Sequence, residues 1–190
     1  FIGESAGYLP PHNRWRTVDH AALSRGYNLS VTTLQLASAY AVFANQGRYR
    51  APTFIKNSLN EERAIIDPAM AATVSEMLSH VVTDNAGHRA GLASYSVAGK
   101  TGTARIAEDG GYSDNYMASF VGFSPVSRPR LVVAVNVNSP QGEAYYGGQV
   151  AAPLFAEVMK TGLRLLNVPA DEASLTAEKA TAQSTEDNHG

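Results

Sequence analysis

Along the first half of the chain, apolar residues recur at steps of three and four. Thr32 and Gln35 stand at the capping-box spacing, Leu36, Tyr40 and Phe43 follow at helical intervals, and Gly47 offers a left-handed stop. A helix is predicted over 32–45. Asp67-Pro68 reads as a second helix start, with Met70, Val74, Met77 and Val81 along one face, which predicts a helix over 68–83. Tyr40, Phe43, Met70 and Met77 are assigned to core packing. Residues 1–29, rich in Gly, Pro and polar groups, read as mostly loop with a short helix near 17–24.

The period then changes. Tyr95 to Ile106 and Tyr116 to Phe123 carry β-branched and aromatic residues around an Asp109-Gly110-Gly111 turn signal, which predicts a hairpin. Ser127-Arg128-Pro129-Arg130 turns the chain into a third, antiparallel strand, Leu131–Val137. Pro153 fits the first turn of a closing helix, with Leu154, Val158, Leu165 and Phe155, Met159, Leu166 as its apolar stripe. The fold class expected is α+β: helices first, then a three-strand antiparallel meander and a C-terminal helix. Residues 169–190 are Ser, Thr, Ala and acidic residues with almost no large apolar side chain, and are expected to be a disordered tail. Residues 1–168 form the folded part.

Composition narrows the function classes. The chain has 190 residues, 44% hydrophobic and 17% charged, with 15 Lys+Arg against 17 Asp+Glu and a formal charge of −2. No basic field is present to gather nucleic acid. Cysteine is absent, which excludes thiolate chemistry. His12, His20, His80, His88 and His189 show no metal-ligand spacing, so neither metal nor cofactor is expected. The opening Phe1-Ile2-Gly3 reads like mid-chain sequence and suggests a piece of a longer polypeptide.

The sharpest chemical signal is Val97-Ala98-Gly99-Lys100-Thr101-Gly102-Thr103-Ala104-Arg105. Two glycines weaken a strand interior and want a reason. One is a substrate backbone lying against a free strand edge, with Lys100 supplying positive charge for a carboxylate and for proton traffic. The Thr101 and Thr103 hydroxyls would donate to that carboxylate, and the Thr103 N–H would form half of an oxyanion hole. The alternative is an ordinary glycine-containing strand with an exposed lysine. Two features count against a phosphate-binding loop: the position five before Gly99 is Ser94, and Gly102 would interrupt the helix that must follow. Tyr145-Tyr146-Gly147-Gly148 reads either as a loop bordering the substrate groove or as the approach turn of the following helix.

The lysine motif does not stand alone. Gly26-Tyr27-Asn28-Leu29-Ser30-Val31-Thr32 leads through the 32–45 helix to Ala44-Asn45-Gln46-Gly47. Downstream come Phe120-Val121-Gly122-Phe123-Ser124-Pro125, then Tyr145-Tyr146-Gly147-Gly148 and Ala152-Pro153-Leu154-Phe155. In that order and spacing the chain resembles the C-terminal half of the transpeptidase domain of class B penicillin-binding proteins, and most resembles their septal, division-specific branch.

The resemblance implies a serine-type D,D-transpeptidase that cross-links peptidoglycan stem peptides and is acylated by β-lactams. It places the parent at the outer face of the bacterial inner membrane, among cell-division proteins. Of the three motifs such sites carry, only Lys-Thr-Gly is found here, as Lys100, Thr101 and Gly102. No serine has lysine three positions later; Thr53 to Lys56 and Thr176 to Lys179 are read as chance.

Ser113-Asp114-Asn115 matches the Ser-x-Asn motif literally but follows Lys-Thr-Gly instead of preceding it, and is assigned to the loop between two strands. Asn28 stands where the family usually has glycine, a position asparagine tolerates at positive φ. The nucleophile, the general base and two further sheet strands are therefore expected from the upstream part of the same domain. A non-catalytic lobe that binds stem peptide, or is purely structural, is the reading from a different class. A serine β-lactamase relative would share Lys-Thr-Gly, but the 32–45 helix and the Tyr-Gly-Gly segment look more like transpeptidases.

Overall fold

The computed structural model describes residues 4–56, 58, 60–84, 87–108 and 111–171. Helix α1 spans Thr17–Leu23 and α2 spans Thr33–Ala44. The predicted capping box closes α2: Gln35 N–H donates to Thr32 Oγ1 at 3.1 Å and Thr32 N–H donates to Gln35 Oε1 at 2.9 Å. At its other end Gly47 adopts φ +84° and donates to the Val42 carbonyl at 2.8 Å. The segment before α2 is tied back to it, because Tyr8 and Ser30 exchange backbone hydrogen bonds of 2.8 and 2.9 Å. Asn28 has φ +60°, as its position in the resemblance requires.

Two short strands escaped the sequence reading, β1 (Arg48–Arg50) and β2 (Glu62–Ala64). They pair antiparallel, and Glu62 bridges Arg48 at 2.8 Å and Arg50 at 2.6 Å. Helix α3 then runs Pro68–Asp84, opened by Asp67 Oδ1, which accepts from Ala69 N–H at 2.8 Å. Its buried face overlaps the one expected only in part, with Val74 packed against the core. Ala71, Leu78 and Val82 are buried, whereas Met70 and Met77 are 59% and 61% exposed. Contact with the sheet selects the stripe that includes small Ala71 and turns the methionines outward. Tyr40 and Phe43 pack against Leu78, Ala98 and Phe123 as expected.

The meander comprises β3 (Ala98–Glu108), β4 (Gly111–Ser124) and β5 (Leu131–Asn138), in spatial order β3-β4-β5 and antiparallel throughout. The fold class is the α+β one expected. Residues 109 and 110 of the predicted turn lie outside the described residues. Ser113-Asp114-Asn115 lies within β4 and not in a loop. Arg105 pairs with Tyr116 and Ala107 with Tyr112, so these three residues bulge out opposite Ile106, where Ser113 Oγ donates to the Ile106 carbonyl at 3.2 Å.

Helix α4 spans Gly147–Leu165, beginning six residues before the predicted proline start. Pro153 therefore sits inside it. Of the expected stripe, Phe155 and Met159 are fully buried beside Ala151, Ala152 and Leu163, while Leu154, Val158, Leu165 and Leu166 are exposed. The sheet is thus sandwiched: α4 covers the face carrying Phe120 and Val133, and α2 and α3 cover the face carrying Ala98 and Phe123.

Residues 169–171, expected in the tail, are among the described residues. The Asp171 carboxylate accepts from the Ser96 N–H at 2.8 Å, from the Ser96 hydroxyl and from the Ser127 hydroxyl at 2.7 Å. The Tyr95 hydroxyl donates to the Val168 carbonyl at 2.8 Å. Residues 172–190, and with them Thr176, Lys179 and His189, lie outside the described residues.

Candidate functional site

Among the described strands β3 has β4 as its only neighbour, so its outer edge carries unpaired N–H and C=O groups. Such an edge is a template on which an extended chain can add as a further strand. The lysine motif lies in this edge, in register Lys100 opposite Val121, Thr101 opposite Phe120, Gly102 opposite Ser119 and Thr103 opposite Ala118.

Strand alternation sends Lys100 toward the α2 and α3 side and both threonines toward α4. The lysine nevertheless curls over the edge, and its ammonium donates to the Thr101 carbonyl at 3.3 Å and to Thr101 Oγ1 at 3.5 Å. Charge and hydroxyl therefore meet at the edge despite starting on opposite faces. A cavity of about 250 Å³ runs along it, bounded by Lys100 to Ala104, by Gly26 and Tyr27, and by Leu36 and Tyr40 of α2. Burial raises the Tyr40 phenol above its ordinary pKa, so it meets the cavity as a neutral hydroxyl.

The two glycines of the motif have different reasons. A Cβ at Gly99 would lie 2.6 Å from Phe120 Cε1 and 2.8 Å from the Val121 carbonyl, so packing with β4 demands glycine there. A Cβ at Gly102 would meet nothing closer than Ser119 Cβ at 3.4 Å, an ordinary contact. Internal packing thus explains Gly99 and leaves Gly102 to the groove.

Gly147 and Gly148 form the first turn of α4 and no loop. Gly147 is buried, its N–H donates to Thr103 Oγ1 at 2.9 Å, and a Cβ there would collide with the Gly102 and Ser119 carbonyl oxygens. Tyr145 stacks on Tyr116 with ring centroids 4.3 Å apart, Tyr146 follows at 4.4 Å, and the Arg105 guanidinium sits 5.9 Å above the Tyr116 ring. The hydrogen bond to Tyr146 is the largest influence raising the Tyr145 phenol. A cation and three stacked phenols therefore flank the Thr103 side of the strand.

A model of the penicillin-binding protein transpeptidase domain matches residues 1–160. The chain belongs to this transpeptidase family. It is 45% identical over 174 residues to a probable peptidoglycan D,D-transpeptidase, PbpC, of Pseudomonas aeruginosa, covering 90% of this chain and 31% of that protein. To the peptidoglycan D,D-transpeptidase FtsI of Escherichia coli K12 it is 37% identical over 181 residues, covering 94% and 31%. The apo transpeptidase domain of Burkholderia pseudomallei penicillin-binding protein 3 superposes with a TM-score of 0.82 at 38% identity, covering 90% of this chain and 53% of that one. The chain thus spans roughly half of that solved domain and about a third of PbpC and FtsI.

Within the family fold, the edge strand brings together Lys100, Thr101, Gly102 and Thr103, and α4 joins Gly147 to them. Ser113-Asp114-Asn115 remains apart, at the bulge toward the hairpin tip. Thr53 and Lys56 lie in an exposed segment after β1. Sequence reasoning passed over Ser119, Tyr27 and Tyr40 as cavity walls and Arg105 with Tyr116 as a flank. The signal for Arg105 and Tyr116 was there: both lie in strands already assigned, Arg105 two residues beyond Thr103 on the same face of β3 and Tyr116 opposite Arg105 on β4. Among the described residues no three His, Asp or Glu side chains converge as metal ligands, and no helix is long and apolar enough to cross a membrane.

Proposed function

We propose that this chain supplies the substrate-aligning wall of a serine-type D,D-transpeptidase that cross-links peptidoglycan stem peptides and is acylated by β-lactams. The observation that carries the reading is the free edge of β3, where the Lys100 ammonium lies beside Thr101 and the Thr103 hydroxyl is held by Gly147. A stem peptide laid along that edge pairs with its backbone. Lys100 and the hydroxyls of Thr101 and Thr103 receive the terminal carboxylate, Gly102 admits the peptide backbone, and the Thr103 N–H donates to the developing oxyanion. Tyr145, Gly147 and Gly148 act from the side by fixing the strand and its aromatic flank.

The attacking serine, its base and two further strands come from the part of the domain outside these 190 residues. The other sheet edge, β5, has β4 as its only neighbour among the described strands and reads Leu131-Val132-Val133-Ala134-Val135, without proline or charge to block pairing. It is the seat for those strands. FtsI and PbpC carry the name of this activity, and that kinship supports extending the proposal to a septal setting with membrane anchorage, an outer-face location and division partners.

A fluorescent penicillin tests the reading. No covalent label is expected on this chain alone. In the assembled domain the label falls on the upstream segment, whereas label on residues 1–190 would overturn the assignment.

A further inference from the structure

The groove along β3 does not end at Ala104. A larger cavity, about 640 Å³, adjoins it and shares Gly26, Tyr27 and Ala104 with it. Its walls carry four aromatic rings, Tyr8, Trp15, Tyr27 and Tyr112, with Arg14, Asp19 and Arg105 among its polar groups. That volume and lining, large aromatic surfaces with a few directional polar groups, fit a small-molecule site and exceed the needs of a bare peptide backbone.

The rings are held in place. Trp15 Nε1 donates to the Pro10 carbonyl at 2.9 Å, Tyr8 is clamped by its two backbone bonds to Ser30, and Tyr27 meets Tyr112 edge to face at 6.4 Å. Tyr8 and Tyr112 remain 61% and 54% exposed, so ring surface faces solvent. Asp19 accepts from Arg16 at 3.1 Å, which holds its carboxylate below the usual range and keeps it an acceptor. Apolar ring faces rimmed by planar charged groups suit a sugar, whose C–H faces stack and whose hydroxyl and acetamido edges hydrogen-bond.

Length agrees with this occupant. Tyr112 stands opposite Ala107, six residues beyond Thr101, or about 20 Å along the strand at a rise of ~3.4 Å per residue. A stem of about five residues, antiparallel to β3 with its carboxylate at Thr101, reaches roughly 17 Å when extended. Its amino end, where the amino sugar is attached, arrives at the aromatic shelf.

We infer that the Tyr8, Trp15, Tyr27 and Tyr112 shelf is a saccharide subsite that binds the amino-sugar disaccharide carried by the donor stem peptide. The inference rests on the transpeptidase reading above. Two probes in the full-length protein test it: the free stem pentapeptide and the same peptide on N-acetylglucosaminyl-N-acetylmuramic acid, each competing with fluorescent penicillin acylation. The disaccharide peptide is expected to compete about tenfold more strongly, the scale of one or two aromatic contacts. Tyr8→Ala with Tyr112→Ala should abolish that preference while acylation by penicillin, which carries no sugar, proceeds at the parent rate and reports an intact fold. Equal competition by the two probes, or a preference that survives the double substitution, overturns the subsite. Absence of acylation in the parent protein would instead overturn the transpeptidase reading itself, and with it this inference.

Discussion

The Thr103 hydroxyl accepts a 2.9 Å hydrogen bond from the Gly147 amide, and this bond fastens the first turn of α4 to the edge strand of the sheet. One of the four N–H groups that a helix start leaves without an intrahelical partner is thereby satisfied by a strand side chain. Because the oxygen serves Gly147 as acceptor, its own proton stays available to the groove. Thr103→Val removes the acceptor and leaves a part-buried amide unpaired. It is expected to destabilise the assembled domain by about 1–3 kcal/mol in denaturant melts, with Thr103→Ser close to the parent. Equal stabilities of the two variants would remove this bond from the account.

Gly99 and Gly102 should separate stability from reactivity. Gly99→Ala drives a methyl group into the Phe120 ring, and overpacking of this kind costs about 1–3 kcal/mol. Gly102→Ala meets only ordinary contact with Ser119 and should melt near the parent temperature. Its methyl group stands where the substrate backbone must approach, so acylation by penicillin should slow. Thermal melts and acylation rates of both variants check this, and a fully reactive Gly102→Ala would contradict the role given to that glycine.

Asp171 closes the far end of β3. Its carboxylate takes three donors from Ser96 and Ser127, while Ser124 donates to the Ser96 carbonyl at 2.8 Å and Val126 to the Ser96 hydroxyl at 2.8 Å. Asp171→Ala is expected to lower stability by about 1–3 kcal/mol, since it strands several donors at once. Removal of residues 172–190 should leave the melting temperature nearly unchanged, because that composition buries little surface. Parallel melts of the two variants distinguish a carboxylate anchor from a dispensable end.

Local patterns were legible where a backbone signal fixes local geometry. The Thr32 and Gln35 capping box, the Gly47 stop, the Asp67 cap and the three-strand meander all lie where the sequence puts them. What stayed hidden depends on tertiary neighbours. Met70 and Met77 satisfy helical spacing as well as Ala71 and Leu78 do, and only contact with the sheet decides which stripe is buried. Pro153 is a plausible first-turn residue, yet the true start is set by the bond from Gly147 to Thr103, some 44 residues away in sequence. Ser113-Asp114-Asn115 has turn composition, but strand pairing on both sides carries it into β4 as a bulge. For the site, the motif identified the strand, while the separate reasons for Gly99 and Gly102 required the position of Phe120.

The central claim is that the Lys100 ammonium, held beside Thr101 at the open edge of β3, provides the charge that acylation needs. The second-order rate of penicillin acylation, compared between the assembled parent domain and Lys100→Ala, tests it most directly. The account predicts a fall of about 10²- to 10³-fold, the scale for losing one preorganised electrostatic partner, with the melting temperature retained because the side chain is exposed. An unchanged rate in a folded Lys100→Ala domain would contradict it.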